Sequence, residues 1–131
     1  MGIEALRDKP VSELSGGEKQ KVYLAMALAQ DSPLFFLDEP AASLDISCQL
    51  SLMAMLKELS GEGKTIVAVT HDLNYALQYA DKLLIINKGR AEQYGSPEEV
   101  LETGVMEKVF GLRINRLKDK NGQPYYFFAT I

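Results

Sequence analysis

Three short apolar runs constrain the fold of this chain most: LFFLD at 34–38, TIVAVT at 65–70 and KLLIIN at 82–87. The first stops abruptly at two acids and a proline, and each run reads as a strand buried on both faces. The segments between them have helical spacing. Val22, Ala25, Met26 and Ala29 recur at i, i+3, i+4 and i+7, which predicts a helix over 15–30. Ser15 with Glu18 three positions later forms a capping box at its start, and Asp31-Ser32-Pro33 ends it. Leu52, Met55, Leu56 and Leu59 define a second helix, capped by Asp45 and closed near Gly61. HDLNYALQYA gives a third, short one. The order β-α-β-α-β predicts an α/β protein with a parallel sheet at its centre.

Beyond KLLIIN the signals are local turns and caps. Lys88-Gly89 predicts a turn into RAEQYG as an antiparallel partner. Ser96-Pro97-Glu98-Glu99 is a second capping box with proline at the first helical position, and two short helices follow up to Phe110. INRLK and PYYFFATI flank Asn121-Gly122, a hairpin signal. The four consecutive aromatics of PYYFFATI are read as a hairpin packed on the core rather than a docking strand.

The 131 residues suit one domain. A net charge of −4 argues against nucleic-acid binding driven by bulk charge. No apolar stretch approaches the roughly 18 residues of a membrane span. The start, MGIEALRDKP, has no apolar run after its charges, so no signal peptide is expected. Cys48 is the single cysteine, which excludes an internal disulfide and suits a reducing cytosol.

Three places carry residues fit for chemistry. In LSGGEKQ, two glycines at a helix start let backbone approach an anion, and the free N–H groups there point at it. The Ser15 hydroxyl could add a bond, in competition with its capping duty. Asp38 and Glu39 stand at the carboxyl end of a strand, where open α/β sheets bind ligands. Such an Asp can hold Mg²⁺ and such a Glu can orient or deprotonate water. His71, the one histidine, follows the second strand. Parallel strands end on one edge, so His71 should lie near the acid pair. Taken singly, these features also read as a well-capped helix, an acidic strand exit and a structural histidine.

Ser15, Asp38, Asp45 and His71 occur in that order, with gaps of 23, 7 and 26 residues. Here the sequence resembles the ATP-binding subunits of ABC transporters. LSGGEKQ is similar to their signature motif, LFFLDEP to the Walker B segment, Ser43-Leu44-Asp45 to the D-loop, and Thr70-His71-Asp72 to the switch-histidine loop. The resemblance covers the later half of the family's P-loop NTPase domain. HDLNYALQYADKLLIINKGRAEQYGSPEEVLE, with a helix ending VFG, looks most like importers of iron–siderophore, haem or cobalamin. Lys21 stands where arginine is common, and Ala41-Ala42 where a threonine is common; neither change removes a reacting group.

The resemblance implies that ATP and Mg²⁺ are the ligands and that two ATPase subunits pair head to tail beneath transmembrane permease subunits, with no nucleic-acid partner. It places the chain in the cytoplasm, peripheral on the inner face of the membrane. Ser15, Gly16 and Gly17 would grip the γ-phosphate of the partner's ATP, with Gln20 nearby and Asp45 also among the cofactor-binding residues. Asp38 would position Mg²⁺, Glu39 would act on water and His71 would contact the γ-phosphate of an ATP on their own side. The chain contains no G-x-x-x-x-G-K-[ST] loop, so it is expected to act as part of a complete ATPase and to be inactive alone. It would comprise the signature helix at 15–30, part of the catalytic core at 33–95, and C-terminal helices and hairpin at 96–131. In the family the Walker A strand lies between 65–70 and 82–87, so its absence should leave a gap, with a dimer or a rearranged sheet as the expected remedy. A soluble ABC ATPase would announce itself by coiled-coil insertions or a second cassette. A non-enzymatic half-domain would have no need of the acid pair and the histidine.

Overall fold

In the computed structural model, which describes residues 2–131, Ser15 opens α1 (Gly16–Ala29) through the expected reciprocal cap. Glu18 N–H donates to Ser15 Oγ at 3.2 Å, and Ser15 N–H donates to the Glu18 carboxylate at 2.8 Å. Two 3-10 turns, Glu4–Leu6 and Val11–Glu13, precede it. Then follow β1 (Leu34–Asp38), α2 (Ile46–Gly61) and β2 (Thr65–Val69). Asp45 caps α2 by accepting from Cys48 N–H at 2.9 Å. These elements form the first of two compact units, residues 1–71; the second spans 72–131.

β1 and β2 pair in parallel, from Leu34 opposite Thr65 to Asp38 opposite Val69. The ladder is fixed at its entry by Thr65 N–H donating to Pro33 O at 2.8 Å, with Lys64 bound to the Asp31 carboxylate beside it. At its exit Glu39 N–H donates to Val69 O at 2.9 Å.

Burial departs from the sequence expectation in two ways. Leu34, Phe36, Val67 and Val69 lie on one exposed face of this pair, with Phe36 at 74%. Only Phe35, on the other face, is buried. An unbroken apolar run therefore reports what its faces can pack against, not what packs there among the described residues. On α1 the buried residue is Leu24, whereas Met26 of the expected apolar stripe is exposed. The helix is as predicted; its inward face is turned, with Leu14 just before it also buried.

The second unit contains α3 (Leu73–Tyr79), β3 (Leu83–Asn87), β4 (Arg90–Gly95), α4 (Pro97–Glu102), α5 (Val105–Phe110), β5 (Leu112–Lys118) and β6 (Pro124–Thr130). β3 pairs antiparallel with β4, and β5 with β6, each as a separate two-stranded sheet. The α/β class holds, while the parallel pairing is confined to β1 and β2, and β3 is not a third parallel strand. The gap left in the expected sheet is thus not closed by re-pairing of these strands. Lys88 and Gly89 both take positive φ, 48° and 76°, which matches the strand twist of a tight hairpin. β3 alternates: Leu83 and Ile85 are buried, Leu84 and Ile86 exposed.

The core of this unit is Leu77, Leu83, Ile85, Val100, Met106 and Tyr126. PYYFFATI divides by strand alternation. Tyr126 is in the core and Phe128 packs against it, while Tyr125 and Phe127 face outward. Ser96 caps α4 by accepting from Glu99 N–H at 3.2 Å, and the Glu99 carboxylate accepts from Ser96 N–H at 2.6 Å. The bond from the Ser96 backbone holds the Glu99 carboxyl below its ordinary 4.5, helped by the Ser96 hydroxyl and by Lys82. Its stabilising effect is present above 4.5 and is lost as pH falls through the lowered value. Ser96→Ala should destabilise the chain by about 1 kcal/mol, read from a urea unfolding midpoint. An unchanged midpoint would mean that Pro97 alone starts this helix.

Candidate functional site

The register of β1 and β2 brings the chemistry together. Asp38 lies opposite Val69, so the next residues, Glu39 on one strand and Thr70-His71 on the other, leave the ladder at the same edge. Glu39 Oε1 accepts from His71 N–H at 3.0 Å and lies 2.7 Å from His71 Nδ1. Backbone and ring of one residue thus converge on one carboxylate oxygen. With Nδ1–H as donor to the carboxylate, Nε2 is the ring's other polar atom. The His71 side chain is 80% exposed and that of Glu39 is 35% exposed, so the pair is open to a ligand.

Glu39 reaches this position through a left-handed backbone, φ 45°, which is uncommon for a residue with a side chain. Such outliers concentrate at functional sites. Asp38 is exposed, and its carboxylate makes no protein hydrogen bond among the described residues. No cluster of three or more His, Cys, Asp or Glu residues suited to a metal occurs among them. A cation at Asp38 would therefore draw at most two such ligands from this chain and complete its shell from elsewhere.

Ser15, Gly16 and Gly17 lie at the N-terminus of α1, as expected from the sequence. Ser15 Oγ is engaged as acceptor in the cap, which leaves its O–H free to donate. The two glycines differ. A Cβ on Gly16 would meet nothing within 4 Å, whereas one on Gly17 would stand 2.8 Å from the Ser43 carbonyl oxygen. Gly17 is small because backbone of the same chain passes it, a reason that the motif alone did not reveal. Gln20 donates from Nε2 to Pro40 O at 3.2 Å. Asp45 spends one oxygen on the α2 cap, and the bond from Cys48 N–H holds its carboxyl below the ordinary range, with Lys21 contributing. Sequence reasoning missed Gln49, whose Nε2 donates to Ala41 O and Leu44 O, each at 3.0 Å.

The sequence profile described as ABC transporter matches residues 1–42. The petrobactin import ATP-binding protein YclP of Bacillus subtilis is 43% identical over 115 residues, which are 87% of this chain and 46% of that protein. The hemin import ATP-binding protein HmuV of Rhodopseudomonas palustris is 35% identical, over 94% of this chain and 50% of that protein. Among solved structures, a metal-chelate type ABC transporter in an inward-facing conformation superposes with a TM-score of 0.77 at 26% identity. The match covers 94% of this chain and 49% of that one. In sequence and in fold the chain is similar to the ATP-binding proteins of ABC transporters.

The chain spans about half the length of the curated relatives it matches. The dimeric, post-hydrolysis ATP-binding cassette MJ0796, bound to ADP and Pi, gives a TM-score of 0.62 at 34% identity over 66% of this chain and 37% of that one. The ABC fold is what sets the two strand ends side by side and carries the signature helix in the same compact unit as the acid pair and the histidine.

Proposed function

We propose that this chain is part of the ATP-hydrolysing subunit of an ABC importer for iron–siderophore, haem or cobalamin. The observation that carries the reading is the double contact of His71 on the Glu39 carboxylate at the open edge of the β1–β2 pair. Glu39 would take a proton from the attacking water, or orient it, and His71 would hold Glu39 and contact the γ-phosphate. Asp38, with its carboxylate uncommitted, fits a hard cation that uses one or two carboxylates and fills its shell with water and phosphate oxygens. Mg²⁺ held there would neutralise charge on the phosphates. Ser15, Gly16 and Gly17 would grip the γ-phosphate of ATP bound by the partner subunit, through backbone N–H groups and the Ser15 hydroxyl. Asp45 would meet the nucleotide at the same interface.

The reading requires a second ATPase subunit, paired head to tail, and transmembrane permease subunits, with the chain peripheral on the cytoplasmic face. No helix among the described residues is long and apolar enough to cross a membrane. The import substrates are taken from relatives whose names specify petrobactin, hemin and cobalamin. These 131 residues contain no G-x-x-x-x-G-K-[ST] loop to cradle α- and β-phosphates. Purified chain alone should therefore turn over negligible Mg-ATP, whereas the assembled importer hydrolyses it. Robust turnover by the chain alone, surviving a mock-purification control, would overturn the half-site reading. An assembled importer without ATPase activity would overturn the enzymatic one.

A further inference from the structure

Glu39 holds a left-handed backbone and is followed at once by the loop 40–44 that leads into α2. A strained residue persists only where its surroundings over-determine it. Part of that restraint is backbone: Glu39 N–H on Val69 O, and Ala42 N–H on Glu39 O at 3.2 Å. The rest comes from two side-chain amides on different helices. Gln20 reaches Pro40 O from α1, and Gln49 reaches both Ala41 O and Leu44 O from α2; all three bonds are partly buried. Three of the five loop carbonyls are thus held by helix-borne donors. Close packing of Gly17 on Ser43 keeps the first turn of α1 against the same loop.

We propose that Gln20 and Gln49 are positioning residues, a two-sided clamp on loop 40–44 that keeps the Glu39 carboxylate on His71. The Gln20 amide, which the resemblance places near a partner's nucleotide, is directed here at this chain's own backbone. The clamp stands on geometry alone; its catalytic consequence rests on the ATPase reading above.

His71 is the single histidine, so its ring Cε1–H gives one assignable ¹H–¹³C cross-peak in labelled chain. Glu39→Ala defines the position of that peak when the contact is lost. Gln20→Met and Gln49→Met keep side-chain length and remove the donors; each should move the peak at least halfway to that position. Gln20→Lys and Gln49→Lys retain a donor and should return it toward wild type. If Gln49→Met fails to fold, as circular dichroism would reveal, Gln20→Met, which breaks a single bond, decides. A wild-type peak in a folded Met variant overturns the clamp. In the assembled ATPase the Met variants should lower kcat roughly 10- to 100-fold with KM for ATP unchanged. A raised KM at constant kcat would return Gln20 to the nucleotide and overturn the proposal. An assembled wild type with no turnover would remove the functional reading, while the His71 peak would still decide the clamp.

Discussion

Glu39→Gln in the assembled ATPase is expected to lower Mg-ATP turnover roughly 10²- to 10⁴-fold while nucleotide binding survives. The substitution is nearly isosteric. Its amide oxygen can still accept from His71 N–H, now 3.0 Å from the carboxylate, and the left-handed backbone is asked of a side chain of the same shape. What disappears is the capacity to take a proton. Steady-state turnover, measured beside equilibrium binding of a labelled nucleotide, separates the two effects. Unchanged turnover would remove Glu39 from the base role. Loss of binding together with turnover would make its contribution structural.

The second large effect is expected in the signature helix, and it needs no ATP to be seen. Gly17→Ala places a methyl group 2.8 Å from the Ser43 carbonyl oxygen, a backbone atom that cannot swing aside as a long side chain would. Overpacking of this kind costs about 1–3 kcal/mol. Gly16→Ala, one residue earlier on the same turn, meets open space and should stay within about 0.5 kcal/mol of wild type. Urea unfolding of the three chains side by side makes the comparison. Equal losses at both positions would refute the steric account and point to some general need for glycine at this helix start.

The contrast between these neighbours shows which part of the site was legible in the sequence. Caps and turns are local, so Ser15 with Glu18, Ser96 with Glu99 and Lys88-Gly89 could be read directly from residue types at fixed spacing. The meeting of Glu39 with His71 was also legible, because two parallel strands must end at one edge. The close passage of Ser43 past Gly17, and the reach of Gln49 across to Ala41 and Leu44, depend on how a loop folds back on two helices. No spacing rule encodes that. Burial was misread for a related reason. Phe36 and Val67 are apolar enough for an interior, but a strand's second face is buried only when another layer lies on it.

Glu39 at its positive φ also marks one position where backbone strain and the proposed chemistry pull apart. Glycine or asparagine would adopt that backbone with less strain. Each would remove the carboxylate that His71 holds. An engineer ranking substitutions by backbone strain alone would be led to this residue early, and would discard the carboxylate proposed here as the base.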